Sequence, residues 1–165
     1  MVTWDGSVIS LDIAPSGGVR ESLLPVLSLI NGESRVVIIE EPEAHLHPRA
    51  ITRLARVIAR AVNRGGKWVI LSTHSDYLLY GLSNLIEASG LSDEELKRRG
   101  LGRGGDVLSP DKIAVYLVKS EPEKSASVLE RIPVSIDGIE EEEFSEVATE
   151  LAEESSLIRS MKARS

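Results

Sequence analysis

The 165-residue chain contains no cysteine. That excludes a disulfide framework and any cysteine-ligated metal site. Aromatic residues are scarce, at 4 %, against 42 % apolar residues overall, so a core built from this composition must be aliphatic. No apolar run approaches the roughly 20 residues that a membrane span requires. The first residues, Met1-Val2-Thr3-Trp4-Asp5-Gly6, lack the basic and apolar regions of a signal peptide. These absences lead us to expect a cytoplasmic protein without membrane contact, and the length fits about one domain. The formal net charge of −7 argues against an obligate nucleic-acid coat. The charge is uneven, however: Glu140 to Glu154 is acidic, whereas the segment after Pro48 is basic.

What is present is an alternation of strand and helix patterns. Val2 to Ile13 has β-type residues around a turn at Asp5-Gly6, and Pro15-Ser16-Gly17-Gly18 then breaks the chain. Leu23, Leu24, Leu27 and Ile30 share the spacing of one helical face over about 20–30, with Asn31-Gly32 as its end. Val36-Val37-Ile38-Ile39 reads as a buried parallel strand. Pro48 opens the next helix, with Ile51, Leu54, Ile58 and Ala61 facing inward, and Asn63-Arg64-Gly65-Gly66 stops it. Trp68-Val69-Ile70-Leu71 reads as a second buried strand, followed by a helix from about 76 to 89. This order predicts an α/β fold with a parallel sheet flanked by helices.

Further along, Leu91 to Asp106 reads as a short helix and a Gly/Arg loop, and Ile113–Lys119 and Val128–Ile136 as two more strands, the latter turning at Asp137-Gly138. A last helix from about Glu140 is expected to carry Phe144, Val147, Leu151 and Leu157-Ile158 inward, with residues 160–165 as a frayed tail.

The chemistry-bearing block is Glu40-Glu41-Pro42-Glu43-Ala44-His45-Leu46-His47-Pro48, directly after the first apolar strand. In open α/β sheets, ligands sit at the carboxyl ends of strands. Two acids at such a tip suit a hydrated Mg²⁺ and the activation of a water. The second strand ends in Ser72-Thr73-His74-Ser75, where a donor can face a transferring phosphate. His45 and His47 make a poor chelating pair, because a spacing of two sets them on opposite sides of a strand or about 200° apart on a helix. Arg49, Arg53, Arg56, Arg60 and Arg64 share one helical face. Such a stripe is first a solvated face; the alternative is a phosphate-backbone or partner contact, to which Arg98, Arg99 and Arg103 in the Gly-rich loop would add.

Ile38-Ile39-Glu40-Glu41-Pro42-Glu43 resembles the Walker B motif of ABC-type ATPases. The longer Glu-Glu-Pro-Glu-Ala-His-Leu-His-Pro run resembles the soluble branch that includes the overcoming-lysogenization-defect ATPases, RecF-like repair ATPases and uncharacterised AAA-type ATPases. The resemblance implies that Glu40 contacts Mg²⁺ through water and that Glu41 polarises the attacking water. It implies that His74 is a switch histidine at the γ-phosphate, and that His45 and His47 belong to a D-loop at a dimer interface. Ser16-Gly17-Gly18 occupies the place of the signature motif, which reaches across the dimer to the ATP of the other subunit; Pro15 and Val19 depart from the leucine and glutamine usual there.

The phosphate cradle, Gly-x-x-x-x-Gly-Lys-Ser/Thr, does not occur in the sequence. Lys67 follows Gly65-Gly66 but is succeeded by Trp68 and a strand, and Gly102-Arg103-Gly104-Gly105-Asp106 lacks the Lys-Ser/Thr. The chain therefore resembles the C-terminal half of a P-loop NTPase domain of ABC type, with a C-terminal β-hairpin and helix, its phosphate-binding strand and helix expected in a preceding segment. From this we expect ATP and Mg²⁺ as ligands, slow or absent hydrolysis by the isolated chain, and a Walker A-bearing segment or subunit as partner, in a homo- or hetero-dimer. The alternative is a non-catalytic interaction or dimerisation module. Nucleic acid stays open as a partner.

Overall fold

A computed structural model describes residues 26–30, 34–98, 100, 106–121, 125–140 and 143–162. The expected strands in 2–13, the signature-like Ser16-Gly17-Gly18 and the basic residues Arg99 and Arg103 lie outside the described residues.

Strand β1 (Val36–Glu40) pairs in parallel with β2 (Trp68–Ser72), Val36 opposite Trp68 and Glu40 opposite Ser72. Helix α1 (Pro48–Gly65) makes the crossover between them. Its start follows from two local effects. Pro48 needs no hydrogen-bond partner in the first turn, and His47 acts as N-cap, its Nδ1 accepting from the Arg49 amide at 3.3 Å. Its end is set by Gly66, whose φ of 58° is a left-handed conformation that favours glycine. Helix α2 (Asp76–Glu87) follows β2 and packs on α1.

Ile51, Leu54 and Ile58 of α1, Leu78, Leu82, Leu85 and Ile86 of α2, and Val37 and Ile39 of β1 form one aliphatic core. Burying each large side chain contributes about 1.5–3 kcal/mol. Ala55 and Ala59 are fully buried in the same cluster.

Both strands were expected to be buried throughout, and the structure corrects this. Val37 and Ile39 are buried, but Val36, Ile38, Trp68 and Ile70 on the opposite face are 53, 71, 76 and 58 % exposed. The reason is that among the described residues only one face of the β1–β2 pair carries a helical layer. The helix phase before β1 also differs from expectation. In the helical residues 26–30, Leu29 is buried and Val26 packs on the core, while Leu27 and Ile30 face outward.

After α2 come a 3₁₀ turn (Ala88–Gly90) and the short helix α3 (Asp93–Arg98). Leu108 then joins the core, and the Leu108 amide donates to the Leu85 carbonyl. The next two strands do not extend the parallel sheet. β3 (Val115–Glu121) and β4 (Ala126–Ile132) form their own antiparallel hairpin, and β5 (Val134–Ser135) pairs with β6 (Gly138–Ile139) in a second, smaller one. Gly138 has a φ of 104°, and a Cβ there would stand 2.3 Å from Ser83 Oγ. The small hairpin is tied to α2 through that serine, whose Oγ accepts from the Ile139 amide at 3.0 Å.

Of the residues expected to face inward from helix α4 (Glu143–Lys162), Phe144 and Val147 lie outside the described side chains, which leaves Leu151, Leu157 and Ile158. They are 61, 61 and 45 % exposed. Glu150, Glu153, Glu154, Arg159 and Lys162 interrupt this stretch, so its apolar residues make only a narrow face. No helix among the described residues is long and apolar enough to cross a membrane.

Candidate functional site

Parallel pairing in register brings the carboxyl ends of β1 and β2 to the same edge. The Glu41 amide continues the ladder, donating to the Ser72 carbonyl at 3.0 Å. The chain then folds back sharply. The Ala44 amide donates to the Glu41 carbonyl and the Leu46 amide to the Glu43 carbonyl, each at 2.9 Å. Glu41 itself has a φ of 42°, a conformation that L residues other than Asn and Asp seldom adopt. His45, with a φ of 61°, is a second such position four residues on.

These turns decide where three acids go. Glu40 ends β1 and is exposed. Glu41 points its carboxylate at the end of β2, its Oε1 3.7 Å from His74 Nε2, with the two side chains 55 and 87 % exposed. Glu43 turns inward and is only 8 % exposed. Glu43 Oε1 accepts from the Thr73 hydroxyl and, at 3.2 Å, from the His74 amide. Its Oε2 is buried and accepts no hydrogen bond among the described residues.

The edge therefore has two layers. Glu40, Glu41 and His74 are open to a ligand, and Glu43 with Thr73 lies beneath. A carboxylate and an imidazole at this separation can orient a water or hold a phosphate oxygen. No group of three or more His, Asp or Glu side chains able to hold a metal occurs among the described residues. Hard, exposed carboxylate oxygens suit Mg²⁺, which keeps several waters and is bound by one or two carboxylates plus substrate phosphates. The exposed carboxylates of Glu40 and Glu41 are donors of that kind.

The arginine stripe divides along α1. Arg60 donates from Nε and Nη2 to the two carboxylate oxygens of Asp106 at 2.7 and 2.8 Å, and Arg64 stands 3.8 Å from the same group. The hydrogen bond and then the charge of Asp106 raise the Arg60 pKa above its ordinary value. Those two residues anchor the segment after 105, and Asn63 adds a bond to the Val107 carbonyl. Arg49 and Arg53 remain exposed. Lys67, whose place after two glycines invites a phosphate-binding role, is buried, and its Nζ donates to the Ser34 carbonyl at 2.8 Å.

Two participants were not singled out from the sequence: Glu43, quoted within the motif but given no role, and Thr73. Their partnership spans 30 residues, and only the β1–β2 register brings them together.

Residues 15–79 match the family model described as "AAA domain, putative AbiEii toxin, Type IV TA system", a stretch that runs through β1, α1, β2 and the site. No curated protein and no solved structure matches the chain. Taken with the parallel β1–β2 unit, that similarity supports a P-loop NTPase-like family and a nucleotide-binding, ATPase-like function at this coarse level.

Proposed function

We propose that the chain is the part of an ABC-type ATPase module that holds the water and the γ-phosphate. The observation that carries this reading is the meeting of Glu41 and His74 at 3.7 Å, both exposed at the shared carboxyl edge of two parallel strands. Glu41 accepts a hydrogen bond from the attacking water and so turns the water's lone pair toward the phosphorus. His74 donates to a γ-phosphate oxygen, where negative charge is held during in-line displacement. Glu40 would contact Mg²⁺ through a water, and that ion would neutralise phosphate charge. Ser16, Gly17 and Gly18, outside the described residues, are assigned to the ATP of a second subunit on the strength of the signature-motif resemblance.

The sequence contains no Gly-x-x-x-x-Gly-Lys-Ser/Thr cradle, so the triphosphate needs a second element. The exposed sheet face suits one. Val36 lies opposite Trp68 and Ile38 opposite Ile70, a continuous apolar patch on a parallel pair, and parallel sheets are stable when both faces are covered. The occupant we assign is a strand–helix segment or subunit bearing the phosphate cradle, its helix lying on this patch.

Equilibrium binding of a fluorescent ATP analogue tests the reading. The chain by itself should bind weakly. Co-expression with a Walker A-bearing strand–helix segment should yield a complex that binds in the presence of Mg²⁺, with Trp68 emission shifted to the blue in a Trp4→Phe background. Tight binding by the chain without that segment, or a complex that leaves Trp68 in water, would count against it. The same apolar patch favours a second reading, an interaction or dimerisation module without catalysis. It predicts a complex whose formation ignores ATP.

A further inference from the structure

We propose that Glu43 is a positioning residue, a buried carboxylate that fixes the tip of β2 and so sets where His74 stands relative to Glu41. What that pose is for rests on the ATPase reading above; the fixing itself does not.

Consecutive residues at the end of β2 depend on Glu43. Its Oε1 accepts from the Thr73 hydroxyl and from the His74 amide. The Thr73 oxygen in turn accepts from the Ser75 amide at 3.0 Å. Ser75 is the N-cap of α2, and its carbonyl receives the Leu78 and Leu79 amides. One side chain from the β1 turn thus holds the histidine's backbone and, through Thr73, the start of the following helix. The imidazole itself is 87 % exposed, with Glu41 Oε1 3.7 Å from its Nε2. Its direction is inherited from a backbone that Glu43 pins.

The chemistry of Glu43 also sets it apart from an ordinary turn residue. Burying a carboxylate is unfavourable unless its oxygens are satisfied, and among the described residues Oε2 finds no donor. That oxygen belongs to the same carboxylate whose Oε1 holds the Thr73 hydroxyl and the His74 amide. Reactive groups on a surface keep a defined geometry only when supporting side chains lock them from below, and a small misplacement is costly to catalysis.

Amide hydrogen exchange of the ¹⁵N-labelled chain tests the proposal, read together with the nuclear Overhauser contact between the His74 ring and the Glu41 side chain. Glu43→Ala should speed exchange at His74 by about tenfold or more, relative to the β1 and β2 amides of Ile39 and Ile70, and should abolish the ring contact. Glu43→Gln, which keeps an acceptor at Oε1, should restore both to within about twofold. Thr73→Val covers the case in which Glu43→Ala fails to fold. It should free the Ser75 amide and leave the His74 amide protected. The proposal is overturned if Glu43→Ala leaves the His74 amide and the ring contact unchanged, if sheet amides accelerate equally, if glutamine fails to rescue, or if Thr73→Val exposes His74 as much as Ser75. If His74 loosens as expected while the completed complex binds no nucleotide, the clamp stands and the ATPase reading falls.

Discussion

Glu41 reaches to within 3.7 Å of His74 from a backbone held at a φ of 42°. The left-handed conformation disfavours an L residue by roughly 1–2 kcal/mol, and such strain gathers at functional positions. Glycine would release it, although glycine also raises the entropy of the unfolded chain. We predict that Glu41→Gly is more stable than Glu41→Ala by about 0.5–1 kcal/mol in urea denaturation. An alanine variant of equal or greater stability would show that the turn is unstrained.

The pair between Arg60 and Asp106 gives a second prediction. Arg60 is half exposed and Asp106 nearly buried, so solvent screening reduces the charge term while the two short bonds still matter. Arg60→Ala should destabilise by roughly 1–3 kcal/mol, and Arg53→Ala on the exposed part of the stripe by less than about 0.5 kcal/mol. The raised Arg60 pKa places its titration above the ordinary arginine range. Its contribution is therefore complete below that range and lost only as pH rises through it. The cost of Arg60→Ala should stay constant from about pH 6 to about pH 9, as thermal melts would show.

Gly138 is tested by steric argument. Its φ is 104°, and an added Cβ would meet Ser83 Oγ at 2.3 Å and Glu87 Oε1 at 2.9 Å. Gly138→Ala should cost roughly 2–3 kcal/mol. The cost of Gly138→Ala should shrink when it is measured in a Ser83→Ala background, where the nearest obstructing atom is gone and the Ile139 bond is lost from both proteins compared, and an undiminished cost there would place it in the backbone.

His47 caps α1 with a ring nitrogen, and the first turn contains no acid. Aspartate caps more strongly and complements the helix dipole. His47→Asp should raise stability by about 0.5–1 kcal/mol, read as a higher melting temperature.

Some of this was legible in the residues and some was not. Pro48, the Ile51–Leu54–Ile58 spacing and Gly65-Gly66 marked α1 because each acts locally. Apolar runs ending in Glu40-Glu41 and in Ser72-Thr73-His74 pointed to strand tips. Runs such as Val36–Ile39 and Trp68–Leu71 look the same whether one face or two are covered, so the local pattern could not say which of their residues would lie open. Leu151, Leu157 and Ile158 looked like core because they are apolar, but whether a helix face meets a neighbour depends on distant chain. The pairing of Glu43 with Thr73 depends on register, which no local pattern encodes.

Phosphate release from ATP is the most direct test of the central claim, that Glu41 and His74 form the water and γ-phosphate side of an incomplete nucleotide site. The chain without a partner should release almost none. Joined to a strand–helix segment bearing Gly-x-x-x-x-Gly-Lys-Ser/Thr, it should hydrolyse ATP with Mg²⁺, and Glu41→Gln should lower the rate by about 100-fold or more while ATP binding persists. Brisk hydrolysis by the chain alone, or a joined complex whose rate is indifferent to Glu41→Gln, would contradict it.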